Sequence, residues 1–470
     1  MPSREDESVS DDEQARTPER PPRERFYEST PKSRVKYEEA TSYMPGGITR
    51  NVLYFDPHPV YADHGDGARI VDVDGNEYLD FQNNYTSLIH GHAPDGPVQG
   101  ATEAIRRSNA PGMPTEEEIR WASHLVERVP ALEKVRFTNS GTEATMNAVR
   151  AARAYTGKDV IAKFEGAYHG THDDALVSVD PPTHLAGPSA EPAAVQKSAG
   201  IPDSTLEDVI VLPFNDPDAA IDGLERHRDE LAGVIVAPLM GSSVVPAHDA
   251  FLHTLDEFTT RHDVPLIVDE VISFRVAHGG AADEFGIEPD LLAFGKLIGG
   301  GFPVGAFGGR AELMSGYDPR NGPEIFHSGT FNANPVTAAA GTAALEAYTP
   351  GEVERINDRC ESLVQGCREV ATDRGIDIQL TRHGSLFKIY LTEGAVEDFR
   401  DAQRSHTELT RELYFELLTQ GMWLSPKLMG CLSTPMDQPE VDDFVEAFDR
   451  GLKRLHAKIE REAPHLLIDT

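Results

Sequence analysis

Apolar positions along this 470-residue chain follow a repeating rhythm. Short apolar runs recur at 135–138, 160–164, 209–213, 233–238 and 265–269, bounded by turn-forming residues, which is the pattern of buried strands. Between them, residues 142–155 and 251–262 carry helical spacing, and Gly157 stands where the first of these helices should stop. Strand–helix alternation predicts an α/β fold built on a mostly parallel sheet with helices on both faces. In such sheets ligands collect outside the carboxyl ends of the strands. Ser140, Asp269 and Lys296 all fall at or just past those ends.

The flanks read differently. Residues 69–81 form two alternating runs around Asp74-Gly75-Asn76, a hairpin signature. Residues 181–205 are rich in Pro, Ala, Gly and Ser and read as a long loop, a lid or a subunit contact. Asn334-Pro335 leads into an alanine-rich helix through residue 348, which Pro350-Gly351 should end. Residues 352–374 and 407–418 are helical, and 385–391 strand-like. The expected organisation is a disordered acidic tail over 1–33, then an N-terminal segment over 34–95 that joins the small domain. A large domain over 96–345 and a smaller α+β domain over 346–470 complete it. No internal repeat is visible.

The formal net charge is −35, from 78 acidic and 43 basic residues. This excess argues against nucleic acid and anionic membranes as partners. No apolar run approaches the length of a membrane span, and the first 25 residues hold no apolar signal core. The expectation is a cytoplasmic protein. Only eleven of the basic residues are lysine, a balance resembling proteins of high-salt (halophilic) cytoplasm, where screening weakens self-repulsion. Folding is therefore expected to depend on salt: the thermal midpoint should rise from dilute to molar salt, and equal midpoints would contradict this. Cys360, Cys367 and Cys431 are too few and scattered for a disulfide framework. His169, His172 and Asp173 loosely suggest ligand spacing, but no second cluster supports a metal, and none is expected.

Candidate chemistry starts at Lys296, which follows the apolar run 290–295 and precedes Gly299, Gly300 and Gly301. Desolvation there disfavours the ammonium form and frees the amine for Schiff-base chemistry. Asp269 ends another strand. An amine for an aldehyde and an anion for a pyridinium nitrogen are what pyridoxal phosphate needs. Ser140, Gly141 and Thr142 lie in a strand–turn–helix start, where unpaired N–H groups and the helix dipole suit a phosphate. Tyr168, in the turn after the next strand, could stack on a flat ring. Residues 327–335, with Thr330 among them, form a polar turn that could supply further phosphate donors. Singly, each piece also suits an ordinary structural role; their order and shared strand-end placement are specific.

Together these stretches carry a resemblance. Residues 44 to about 455 resemble the class III, fold-type-I pyridoxal phosphate aminotransferases. The likeness is nearest to the branch of glutamate-1-semialdehyde aminomutase and the β-amino-acid (β-phenylalanine) aminotransferases. The matching stretches are Asn139-Ser140-Gly141-Thr142-Glu143-Ala144, Tyr168-His169-Gly170, Asp269-Glu270-Val271, Gly295-Lys296 and Gly329-Thr330-Phe331. The resemblance implies that Lys296 holds the cofactor as a Schiff base and then shuttles a proton. Asp269 would pair with the pyridinium and Tyr168 stack on the ring. Gly141 and Thr142, with Ser140, would bind phosphate. Thr330 would reach the phosphate of the neighbouring subunit, which implies a homodimer with shared active sites.

Two departures bear on the substrate. The aminomutases carry a glutamate shortly after a Ser-Pro or Ala-Pro pair, where this chain has Ser425-Pro426-Lys427 and no acid. They also carry an arginine at the position of Leu53, whereas here Arg50 stands earlier. Arg50 and the stretch from Tyr85 to His92 look like the β-amino-acid aminotransferases, in which the early arginine grips a substrate carboxylate. Lys427 takes the place of a second arginine, as a point charge without the bidentate fork. Arg50, Tyr85 and Lys427 are therefore the candidate substrate contacts, although surface solvation also explains the two cations. Ala237 stands where relatives place a glutamate. The expected activity is transfer of an amino group from a carboxylate-bearing amine, of β- or ω-amino-acid type, to a keto acid. The alternatives are glutamate 1-semialdehyde isomerisation and a non-catalytic binding dimer of the same fold.

Overall fold

The computed structural model describes residues 20–322 and 325–468. At its centre is a seven-stranded sheet. In spatial order its strands are Lys134–Thr138, Gly305–Gly309, Leu291–Gly295, Leu266–Asp269, Leu231–Val236, Val160–Phe164 and Val209–Leu212. Six strands run parallel, and Gly305–Gly309 is antiparallel to both its neighbours. Every residue of Leu231–Val236, Leu266–Asp269 and Leu291–Gly295 is buried. Such strands must be covered on both faces, which explains their near-continuous apolar sequence.

The two faces pack against different neighbours. Ile267, Leu291 and Ala293 meet Ala144, Ala148, Ala151 and Ala152 of helix Gly141–Thr156. Leu266, Val268, Leu292 and Phe294 face the larger cluster on the other side. Successive side chains alternate across a sheet, so Asp269 shares the helix side with Ile267 while Glu270 turns away. Glu270 is fully buried and accepts from the Ser273 hydroxyl and, at 2.8 Å, from Ala282 N. The small alanines let the helix lie close on the sheet. Trp121, stacked on Phe137 at 4.0 Å, donates at 3.0 Å to Ile298 O just behind Lys296.

Outside this layer lie the hairpin Arg69–Asp72 and Glu77–Asp80, a sheet of Gln379–His383, Leu386–Tyr390 and Met429–Cys431, and helices Pro350–Asp373, Thr407–Leu418 and Gln438–Glu462. Strand Met422–Trp423 pairs with Glu77–Asp80, so residues from both ends of the chain share one cluster. Cys360 and Cys367 are buried there as free thiols.

One sequence expectation needs correction. Of the tail expected over 1–33, residues 1–19 lie outside the described residues, but Pro22–Ser29 and Pro31–Ala40 are helices. Phe26, 1% exposed, packs on Phe55 and Phe415, and Arg25 pairs with the buried Glu416 at 2.6 Å. One aromatic anchor and one buried ion pair outweigh the charged composition. The alanine-rich helix stops at Ala347 ahead of Pro350-Gly351, as expected, and the next helix opens at Pro350, capped by Thr349 accepting from Glu352 N. Strand Gly305–Gly309, of sequence Gly-Ala-Phe-Gly-Gly, gave no apolar signal. A Cβ at Gly305 would collide with Ser140 O and one at Gly308 with Lys134 O, so glycine is needed where the neighbouring backbone approaches.

The long loop is fastened rather than free. Arg400 forks onto Glu165 at 2.7 and 3.0 Å and also donates to Gly187 O, Ala186 O and Pro188 O. Glu165 is 4% exposed. Arg400→Met should strand that carboxylate and cost about 3–5 kcal/mol. The checks are a lower urea midpoint and faster proteolysis within 181–205; an unchanged midpoint would show the pair to be dispensable.

Candidate active site

The carboxyl ends of the central strands surround an open cleft of about 200 Å³. Its lining includes Gly141, Thr142, Tyr168, His169, Gly170, Ala237, Gly241, Asp269, Val271 and Lys296. Five of the expected residues, Gly141, Thr142, Tyr168, Asp269 and Lys296, are thus brought together from four separate connections.

Lys296 leaves strand Leu291–Gly295 with a left-handed φ of 50°. Few non-glycine residues adopt this conformation, and it costs strain that the surrounding packing must hold. The side chain opens to the cleft, and its amine has no hydrogen-bond or ion-pair partner among the described residues. Burial pushes the amine down to about 8, partly offset by the Asp269 charge. An amine at this value is about half unprotonated near pH 8, where an ordinary lysine is almost wholly charged.

Asp269, 6% exposed, accepts from Val271 N at 3.0 Å and pairs with His169 Nδ1 at 2.8 Å. Burial lowers the His169 pKa, so the imidazole is neutral and Nδ1 carries the hydrogen donated to Asp269. Its Nε2 is buried without a partner. Thr145 Oγ1 donates to His169 O at 2.5 Å and fixes that turn. His169 Nδ1 is thus committed to the Asp269 carboxylate. Among the described residues, no three His, Cys, Asp or Glu side chains are grouped as ligands.

The opposite end of the cleft is a helix start. The Ser140 hydroxyl caps the helix, accepting from Glu143 N at 3.2 Å, and Asn139 N donates to Glu143 Oε2 at 2.6 Å. Ser140 thus spends its side chain on the cap and does not line the cleft. The N–H groups of Gly141 and Thr142 have no acceptor among the described residues and point out of the positive helix end. Gly170, at φ 105°, lets the 168–170 turn lie on Thr142, because a Cβ there would come within 2.7 Å of Thr142 Cα. Thr171 N donates to Thr142 Oγ1 at 3.2 Å. Tyr168 is half exposed on the cleft wall.

The remaining expected residues lie at the rim or beyond it. Arg50 is exposed, donates to Asn84 Oδ1 at 2.7 Å and stands 5.4 Å over the Tyr85 ring. Its charge is felt at both Lys296 and Tyr168. Tyr85 donates to Val52 O at 2.7 Å. Lys427 is exposed, and Thr330 is exposed away from the cleft of its own chain. Sequence reasoning missed His169 as the partner of Asp269. The two lie 100 residues apart, and the His169-Gly170 turn offered no signal beyond its place after a strand.

Residues 54–433 match the family described as aminotransferase class-III. Glutamate-1-semialdehyde 2,1-aminomutase of Methanothermobacter thermautotrophicus is 38% identical over 428 residues, covering 90% of this chain and 99% of its own. An omega-transaminase from Sphaerobacter thermophilus superposes with a TM-score of 0.87 at 46% identity, covering 90% of this chain and 98% of its own. A β-phenylalanine aminotransferase from Variovorax paradoxus does so with 0.84 at 35% identity, covering 93% and 97%. The fold is that of the fold-type-I transferases, and this chain belongs to the class III aminotransferase family.

Proposed function

We propose that this chain is a pyridoxal-phosphate-dependent aminotransferase that moves an amino group from a carboxylate-bearing amine to a keto acid. One observation carries the reading: the unpartnered Lys296 amine and the His169-held Asp269 carboxylate share a cleft whose far end presents the free N–H groups of Gly141 and Thr142. An aldehyde, a ring nitrogen and a phosphate on one flat molecule match these three features. The orphaned amine and the two spare donors are what such a ligand would satisfy. When bound, pyridoxal phosphate supplies an electron sink for a carbanion at the substrate carbon.

The protein's own groups do the rest. Lys296 Nζ would hold the cofactor and serve as the proton carrier. Asp269 would set a negative charge against its ring nitrogen, with His169 keeping Asp269 aligned. Gly141 and Thr142 would hold its phosphate, and Tyr168 would cover its ring. Arg50, which has no carboxylate partner among the described residues, offers a bidentate fork to the substrate carboxylate, with Tyr85 beneath it. Thr330 serves the neighbouring copy's phosphate in a homodimer. Phe326 and Phe331, 80% and 59% exposed beside it, supply apolar surface for that contact. No helix among the described residues is long and apolar enough to cross a membrane; a cytoplasmic enzyme acting on small amino and keto acids is the reading.

A second reading, semialdehyde isomerisation, is favoured by the name that several relatives at 37–38% identity share. Leu53 in place of an arginine, and the run after Ser425-Pro426 without an acid, favour transamination. Incubation with β-amino acids plus 2-oxoglutarate, and separately with glutamate 1-semialdehyde alone, decides between them. Conversion only in the second tube would reverse the order.

The amine value fixes a pH dependence. Its pKa in the fold is depressed below the ordinary lysine value, so the reactive neutral form grows as pH rises. Reconstitution of the apoprotein with pyridoxal phosphate should accelerate about tenfold per pH unit below about 8 and level off above it. A flat profile from pH 6 to 9, followed by visible absorbance, would contradict this.

A further inference from the structure

Lys163 belongs to strand Val160–Phe164, two residues past Ile161. It therefore lies on the sheet face covered by helix Gly141–Thr156, the face that also carries Asp269. It is 1% exposed. A fully buried ammonium ordinarily needs a counter-charge, yet no carboxylate pairs with Lys163 among the described residues. Burial pushes its amine down to about 7. Its partners are three backbone carbonyls. Nζ donates to Ala167 O at 2.9 Å, to Ala175 O at 3.1 Å and to Val177 O. An ammonium has three N–H groups, so all three are engaged and none is left for a ligand.

The three carbonyls come from the two limbs of one turn. Residues 165–178 leave strand Val160–Phe164, and Gly166 N donates to Ser178 O at 2.9 Å where the limbs close. The tip, Tyr168 to Gly170, lines the cleft, whereas Lys163 does not. Ala167 immediately precedes Tyr168, and Ala175 and Val177 lie on the returning limb. Strand Leu231–Val236 separates the strand of Lys163 from that of Asp269, so the turn must bridge it for His169 to reach Asp269. On the helix side the tip is held by Thr145 Oγ1 donating to His169 O and by Thr171 N donating to Thr142 Oγ1. On the strand side Lys163 gathers both limbs. Its charge is felt at His169 and at His172, which places the ammonium close to the imidazole that holds Asp269.

We propose that Lys163 is a positioning residue of the cofactor cleft: its three N–H bonds fix the turn 165–178 and thereby set Tyr168 over the ring and His169 against Asp269. It touches neither cofactor nor substrate. A side chain without N–H donors would leave three buried carbonyls unsatisfied, and the limbs would part to reach water. The inference rests on the cofactor reading of the cleft, and one arm of its test needs no cofactor.

The test compares wild type with Lys163→Met, which keeps the apolar stem and removes the donors. The control is Leu363→Ala, in a cluster none of whose members lines the cleft. Each apoprotein is titrated with pyridoxal phosphate and followed by visible absorbance. The dissociation constant should rise about tenfold or more in Lys163→Met. It should stay within about twofold of wild type in Leu363→Ala, even where the thermal midpoint falls as far. In a background carrying both Tyr168→Ala and His169→Ala, adding Lys163→Met should change the constant by less than about twofold, because the groups it positions are gone. Amide hydrogen exchange of the apoprotein should accelerate within 166–178 in Lys163→Met and in no other turn of the cleft. A cofactor affinity that stays at the wild-type value, a full loss that persists in the double background, an equal loss in Leu363→Ala, or unaltered exchange of the turn overturns the proposal. If Lys163→Met does not fold, Lys163→Gln, with two N–H groups on a shorter stem, is read by the same measurements and should show smaller losses in the same direction. Faster exchange of 166–178 in Lys163→Met, with no pyridoxal phosphate bound by wild type, would refute the cofactor reading and leave the tether standing.

Discussion

Lys296→Ala should lower turnover on the order of 10⁴-fold and abolish covalent attachment of the cofactor. The amine has two duties, Schiff-base formation and proton transfer, and no other lysine lines the cleft. Alanine removes both while leaving the cleft walls in place. The fold should not suffer. The amine makes no hydrogen bond or ion pair among the described residues, and its partial desolvation opposes folding while it is charged. The thermal midpoint of the apoprotein should therefore stay level or rise. Borohydride reduction of the wild-type holoprotein, followed by peptide mass, should place a pyridoxyl group on Lys296, and the variant should take no label. A labelled variant, or an active one, would overturn the proposed role of this residue and with it the reading of the cleft.

Asp269→Asn should cost about 10²–10³-fold in kcat/KM and weaken cofactor retention. The amide preserves shape, but its single oxygen can accept from only one of His169 Nδ1 and Val271 N, which reach different carboxylate oxygens. It carries no charge, and its NH₂ would face a ring nitrogen as a donor. A pyridine nitrogen without an anion beside it loses its proton, and the ring then accepts electrons poorly. His169→Gln, which retains an N–H to donate to Asp269, should lose far less. Steady-state rates, with the visible spectrum across pH, separate the two variants. Equal losses in both would mean that orientation, not charge, is what Asp269 contributes.

Both effects rest on residues whose approximate place was legible. Lys296 and Asp269 follow apolar runs that could only be buried strands, and parallel sheets open their ligand sites at such ends. Gly141 and Thr142 were legible because a strand, a glycine and a capped alanine-rich helix leave N–H groups free. The hairpin at 69–81 followed from alternation around Asp74-Gly75-Asn76.

Other features gave no local signal. The antiparallel strand Gly305–Gly309 is mostly glycine, and its reason is the approach of Ser140 and Lys134 carbonyls distant in sequence. The helices at 22–40 depend on Phe26 and Arg25 finding Phe415 and Glu416 almost 400 residues away. Composition alone made that stretch a tail.

The sequence by itself determined the layered α/β architecture, the lysine and aspartate at its strand ends, and the anionic surface. These depend on periodicity, turn chemistry and charge, which are properties of short segments or of the chain as a sum. Tertiary structure alone decided that His169 holds Asp269 and that Arg400 fastens the long loop. Each of these depends on a contact between segments far apart in the chain, and no spacing within a segment encodes which distant backbone or side chain will meet it.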